Sequence, residues 1–173
     1  MKALTLYQPW ATAMVLGLKT VETRGWKISY RGPVIIHSAQ KITREMNRDF
    51  VARLNANPED RAAFAAAGYR FFSELPFGQS LAIADLVDCV PVEKLTPHLS
   101  PREFAWGDYS TGRFGWIFAN LRRFERPRHV SGAQGLWEWK HGSPEVPAAM
   151  PVLPAYRLPA QIQRPPFAIS PSS

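Results

Sequence analysis

Residues 8–26 read QPWATAMVLGLKTVETRGW, and the reading of this stretch decides the fold. Pro9 suits the first turn of a helix, where a missing N–H is harmless. Trp10, Ala13, Met14, Gly17 and Leu18 recur at i, i+3, i+4, i+7 and i+8, so they form one buried helical face. Gly17 suits the left-handed cap that ends such a helix. Thr20, Val21 and Thr23 are β-branched and predict a strand directly after it. The period of two puts Thr20, Glu22 and Arg24 on one side of that strand and Lys19, Val21 and Thr23 on the other. A helix-to-strand junction therefore carries Lys19, Glu22 and Arg24 within six residues. Two readings stay open. The junction is the rim of a ligand pocket, where Lys19 binds phosphate or acts as a base, Glu22 orients it or accepts from a ligand amine, and Arg24 assists. Alternatively, Glu22 forms a structural ion pair with Lys19 or Arg24.

Outward from this stretch, Leu4–Tyr7 reads as a short strand and VIIHSA (34–39) as a buried one. KITREMNRDFVARLN (41–55) predicts a helix with an apolar stripe at Ile42, Met46, Phe50 and Leu54, with Val51 beside it. NPEDRAAFAAAG (57–68) predicts a second, with Asn57 as N-cap, Pro58 in the first turn and Gly68 as stop. SLAIADLVDCVPV, RFGWIFANLRRF and GAQGLWEWK predict three more strands. Strands that follow one another without a helix between them exclude a doubly wound α/β sheet. The expectation is an α+β fold: a small, partly open β-barrel of about five to six strands flanked by helices.

The chain has 173 residues and 46% hydrophobic residues, enough for one well-cored domain. Lysines and arginines number 21 against 14 acids, a net charge of +7 that favours a polyanionic partner such as nucleic acid. Eight of the 16 prolines fall in residues 142–173. That segment reads as a proline-rich, extended C-terminal arm that could take a protein partner, which leaves residues 1–141 as the domain. The single cysteine, Cys89, sits in an apolar run and reads as a buried thiol. With four scattered histidines it offers no zinc spacing, so no metal or other cofactor is expected. No apolar run approaches a membrane span and the start lacks a signal-peptide pattern, so a soluble, cytoplasmic protein is expected.

Other residues invite functional readings. RRFERPRH (122–129) supplies Arg122, Arg126 and Arg128 as a basic loop for phosphate contact, or as solvated strand-end charges. Six tryptophans include Trp137 and Trp139 on one strand face, where one could stack on a base. His37 reads as a hydrogen-bonded core histidine, and Ser38 beside it as a ligand contact. Glu103 and Asp108 flank Trp106-Gly107, either as ligand-facing carboxylates or as turn and cap residues.

Gly17, Lys19, Glu22 and Arg24 together resemble the GxKxxExR signature of the ASCH (activating signal cointegrator homology) domain family. QPWA (8–11), GPVIIHSAQK (32–41), LVDC (86–89), WGDYSTGRFGW (106–116) and QGLWEW (134–139) extend the likeness in order. The resemblance implies a PUA-like fold with a cleft near the signature, and binding of RNA or other single-stranded nucleic acid. Lys19, Glu22, Arg24, Ser38, Asp108, Arg122, Arg126 and Arg128 would then contact the ligand. Some family members resemble amidohydrolases acting on N4-acetylcytidine, and some are ribonucleases, which makes a hydrolase using Lys19 and Glu22 the alternative. The amidohydrolase pattern has Thr three residues after the Lys and a downstream Glu. Here position 22 is Glu22, and Glu103 is the nearest candidate for the second acid.

Overall fold

The computed structural model describes residues 1–142. The expected proline-rich arm lies outside the described residues, apart from Gly142. The architecture is α+β, with one six-stranded sheet in the order β2-β5-β4-β3-β1-β6. The chain runs β1 (Lys2–Leu6), α1 (Trp10–Val15), β2 (Val21–Arg24), β3 (Gly32–Ser38), α2 (Arg44–Ala56) and α3 (Pro58–Ala66). It continues through β4 (Gln79–Pro91), α4 (Val92–Leu95), α5 (Pro101–Ala105), β5 (Phe114–His129) and β6 (Leu136–Glu138). β1 pairs parallel with β3, and the other pairings are antiparallel.

The sheet curls because its longest pair is out of step. Between β4 and β5, Ile83 faces Arg122 while Asp85 faces Ala119, so β5 carries an extra residue there. Asn120, at φ +52°, occupies that extra position and donates through Nδ2 to Asp85 Oδ2 at 2.9 Å. Asparagine tolerates the left-handed region better than other non-glycine residues, and a bulge of this kind bends its strand. Further register shifts near Ser80 and Asp88 add to the curl. Both faces of the sheet are buried, as the apolar run in β3 requires. Val34 and Ile36 pack with Leu4, Leu6, Met14 and Trp116 on the inner side, while Ile35 packs with Ala3, Ile83, Phe124 and Trp139 on the outer. A second core lies under α2 and α3, where Phe50, Phe64, Phe72 and Trp106 meet.

Several expectations change. RRFERPRH is not a loop: β5 runs on to His129, with Pro127 in its exposed end. Ile42 lies outside α2, and with Val51 it faces solvent instead of the core. Lys19 precedes β2, so strand alternation does not govern its side chain. α4 and α5 add to the expected elements; four and five residues are too few for a periodicity to register in sequence.

Glu103 is a buried structural carboxylate. Ser100 caps α5 by accepting from Glu103 N at 3.1 Å. The Glu103 side chain then accepts from Thr20 N (2.8 Å), Thr20 Oγ1 (3.0 Å) and Val21 N (3.1 Å), which pins the start of the edge strand β2. It is therefore not available as the downstream acid of a hydrolase. Hydrogen bonds to a buried charge are worth about 1.5–3 kcal/mol each and do not add simply. Glu103→Ala should lower the unfolding free energy by about 3 kcal/mol in urea titrations. A loss below about 0.5 kcal/mol, the range of an ordinary surface substitution, would refute the pinning role.

Candidate functional site

The junction read from sequence is a chain of charges. Lys19 Nζ donates to Glu22 Oε2 at 2.8 Å, and Arg24 Nε lies 3.2 Å from Glu22 Oε1. The Lys19 side chain is only 1% exposed, so its ammonium needs this carboxylate. Arg24 also donates through Nη2 to Thr5 O at 3.2 Å. Both Glu22 oxygens thus face cations, Oε2 through a hydrogen bond from Lys19 and Oε1 through the ion pair with Arg24.

This chain of charges separates two cavities. The smaller, of about 190 Å³, holds Lys19, Glu22, Asp108 and Arg113. Arg53 lies between the rings of Trp10 and Trp106 on its wall, 5.5 and 5.3 Å from their centroids. Hydrogen bonds from Ser110, and then the charge of Arg113, hold the Asp108 carboxyl below its ordinary range. The larger is an open cleft of about 610 Å³. Arg24, Trp26, Tyr7, Gln40 and Lys41 line it together with residues 130–135.

Two aromatic rings are held ready in the cleft. Trp26 is 47% exposed and Tyr7 50%. Trp26 meets the edge of Trp116 with centroids 6.0 Å apart, and its backbone carbonyl accepts from Trp116 Nε1 at 3.2 Å. Arg24 lies 5.7 Å from the Trp26 ring and Lys41 6.0 Å from the Tyr7 ring, so each aromatic is paired with a cation.

The cleft floor is a relay of hydrogen bonds. Trp137 Nε1 donates to Thr5 Oγ1 at 3.1 Å, and His37 lies between Thr5 Oγ1 (3.2 Å from Nδ1) and Val130 O (3.1 Å from Nε2). A carbonyl only accepts, so Nε2 carries the proton and Nδ1 accepts from the Thr5 hydroxyl. This ties β1, β3 and the 130–135 segment together. Gly132 must be glycine here, since a Cβ would come within 2.6 Å of Thr5 Oγ1 and 2.7 Å of the His37 ring.

The residues expected to touch ligand thus divide. Arg24 lines the large cleft, while Lys19, Glu22 and Asp108 line the small cavity. Ser38 is fully buried: its hydroxyl lies against Pro76 O and Gln79 O and accepts from Gln79 N at 3.1 Å, which closes the β3–β4 junction. Arg122 is half-buried on β5, and Arg126 and Arg128 are exposed at its end; none of the three lines either cavity. Arg128 donates to His141 O at 2.7 Å. Tyr7, Gln40, Lys41 and Trp26 join the site only once the chain is folded. Trp26 lies in the bend just after β2, so strand alternation does not place its ring; the ring reaches the cleft through its contacts with Trp116 and Arg24.

The family model for the ASCH domain matches residues 4–128. The chain belongs to the ASCH domain family. Over 87 residues, half of its length, this ASCH domain is 31% identical to human activating signal cointegrator 1. The matched region spans 14% of that much longer protein.

Burial pulls the His37 imidazole below its ordinary value of 6.5, partly offset by its hydrogen bond to Val130. The unfolded chain then takes up this proton before the folded one. The stability His37 contributes is full above pH 6.5 and is lost as pH falls from there through the folded value. Urea midpoints measured between about pH 7.5 and pH 5 should drop for the native chain and drop less for His37→Gln. Equal slopes for the two proteins would refute this.

Proposed function

We propose that this ASCH domain binds single-stranded RNA and holds one unpaired base in the 610 Å³ cleft. The observation that carries the reading is Trp26, a half-exposed ring braced by Trp116 and Arg24 at the cleft wall. An indole held in place stacks on a base without losing further conformational freedom, and such stacking is worth about 1–3 kcal/mol. Arg24 and Lys41 stand beside the two rings, where the phosphates flanking a splayed base would pass. Gln40, Gln134 and the backbone of residues 131–135 supply donors and acceptors for its edge. The net charge of +7 favours the encounter with a polyanion.

Binding is better supported than hydrolysis. Lys19 is buried against Glu22, and Glu22 is held between Lys19 and Arg24, an arrangement that steadies these charges rather than pointing one of them at a reacting atom. Glu103 is committed to the backbone of β2. Asp108 sits in the smaller cavity, across the ion pair from the cleft.

Fluorescence anisotropy with a labelled single-stranded RNA tests the reading. The affinity should fall with salt on a log–log slope of about −1.4 or steeper, for at least two neutralised phosphates. Trp26→Ala should weaken binding about 5- to 150-fold with the salt slope unchanged, because stacking carries no charge. Arg24→Ala should make the slope shallower by about 0.7. A flat slope for the native chain, or native affinity in Trp26→Ala, would overturn the proposal.

A further inference from the structure

A second concave surface lies away from the cleft, between the start of α2 and the segment after α3. It encloses about 640 Å³ and is floored by Phe50 and Phe72, which belong to the core under α2. Its rim exposes three large apolar side chains: Phe71 at 66%, Ile42 at 59% and Val51 at 48%. Isolated apolar residues on a surface are ordinary, but three converging on one groove are not.

Local structure does not account for them. Ile42 precedes Thr43, the N-cap of α2, whose hydroxyl accepts from Met46 N at 3.2 Å. A residue at this place commonly packs on the fourth helical position, which here is the polar Asn47, so Ile42 lacks its usual apolar partner. Phe71 is fixed by its backbone: the Glu74 carboxylate accepts from Phe71 N at 2.9 Å, and Glu74 N donates to Phe71 O at 3.0 Å. The clamp fixes the backbone from which the exposed phenyl ring projects, which removes part of the ordering cost of binding.

Among the described residues, Arg44 and Arg70 are the charged residues that line the groove. The Glu74 carboxylate beside Phe71 is engaged by the Arg70 and Phe71 backbone N–H groups, which leaves Arg44 and Arg70 as the charges offered to a ligand. We propose that this groove docks a short amphipathic segment of a partner protein, with apolar side chains set between Phe71, Ile42 and Val51 and acidic side chains facing Arg44 and Arg70. A nucleic acid fits less well, since two of the three exposed anchors are aliphatic and offer no ring face to a base. The chain's own residues 143–173 fit less well too, since they carry Arg157 and Arg164 against Glu145, the same sign as the rim.

Random dodecapeptides displayed on phage provide the test, selected on the full chain and in parallel on a Val51→Ser/Phe71→Ser double mutant. Both positions are exposed, and an unchanged melting curve confirms that the double mutant is folded. Peptides enriched on the native chain should carry Asp or Glu flanking apolar residues spaced three or four apart. A synthetic copy should bind the native chain about tenfold more tightly than the double mutant, and Arg44→Glu should weaken it about fivefold. Enrichment of uncharged or basic peptides, or equal enrichment on the two proteins, would overturn the proposal. So would an equal loss of single-stranded RNA binding in the double mutant and in Trp26→Ala, which would assign the groove to RNA. The peptide readout does not depend on the cleft, so the RNA reading can fail without it.

Discussion

A lysine that is 1% exposed needs a carboxylate, and Glu22 is that carboxylate. An ammonium buried without a partner would cost several kcal/mol, so the position of Glu22 is fixed by Lys19 as firmly as the reverse. Glu22 lies opposite Trp116 in the pairing of β2 with β5, which places the ion pair at the edge of the sheet. Its second oxygen is left for Arg24, and Arg24 reaches on to Thr5 O in β1. The signature residues therefore tie the edge strand β2 to β1, a strand from the far side of the sheet order. In doing so they hold Arg24 and Trp26 at the mouth of the cleft. Both readings left open by the sequence have a counterpart in the fold: Glu22 is ion-paired with Lys19 and Arg24, and the same residues line cavities, Lys19 and Glu22 the small one and Arg24 the large cleft.

The same economy governs the rest of the cleft. The His37 relay joins β3 to Thr5 and Val130, so the floor and the far wall are fixed by hydrogen bonds and not by apolar packing alone. Gly132 allows the wall to approach the imidazole closely. A cleft built this way offers polar groups that are mostly satisfied within the protein, together with two aromatic rings that are not covered. This is the arrangement on which the proposed binding by stacking and charge rests. The groove over Phe50 and Phe72 differs in kind, with Phe71, Ile42 and Val51 exposed at its rim beside Arg44 and Arg70. The domain thus carries two concave surfaces of different lining.

Much of this is legible in the sequence. The helix-to-strand junction, Gly17 as a left-handed cap at φ +76°, Asn57 as N-cap of α3 and the long apolar strands all follow from local rules. The curl of the sheet is less legible, because a bulge such as that at Asn120 depends on which residues face each other across two strands. Glu103 and Ser38 mislead for a related reason. A buried carboxylate or hydroxyl that satisfies backbone donors looks, in one dimension, like one waiting for a ligand. The arginines of 122–128 form a cluster in sequence, yet the alternation and irregular register of β5 scatter them outside both cavities. Tyr7 and Lys41 carry no such signal, because they come from different segments that only the fold brings to one wall.

The most direct test of a stacking cleft at Trp26 is a map of backbone and indole NMR shifts during titration with a short single-stranded RNA. The largest changes should fall on the Trp26 indole N–H, Arg24, Tyr7 and residues 131–135, with the groove around Phe71 unperturbed. Shifts centred on the exposed end of β5 or on the Phe71 groove, with the Trp26 indole silent, would contradict it.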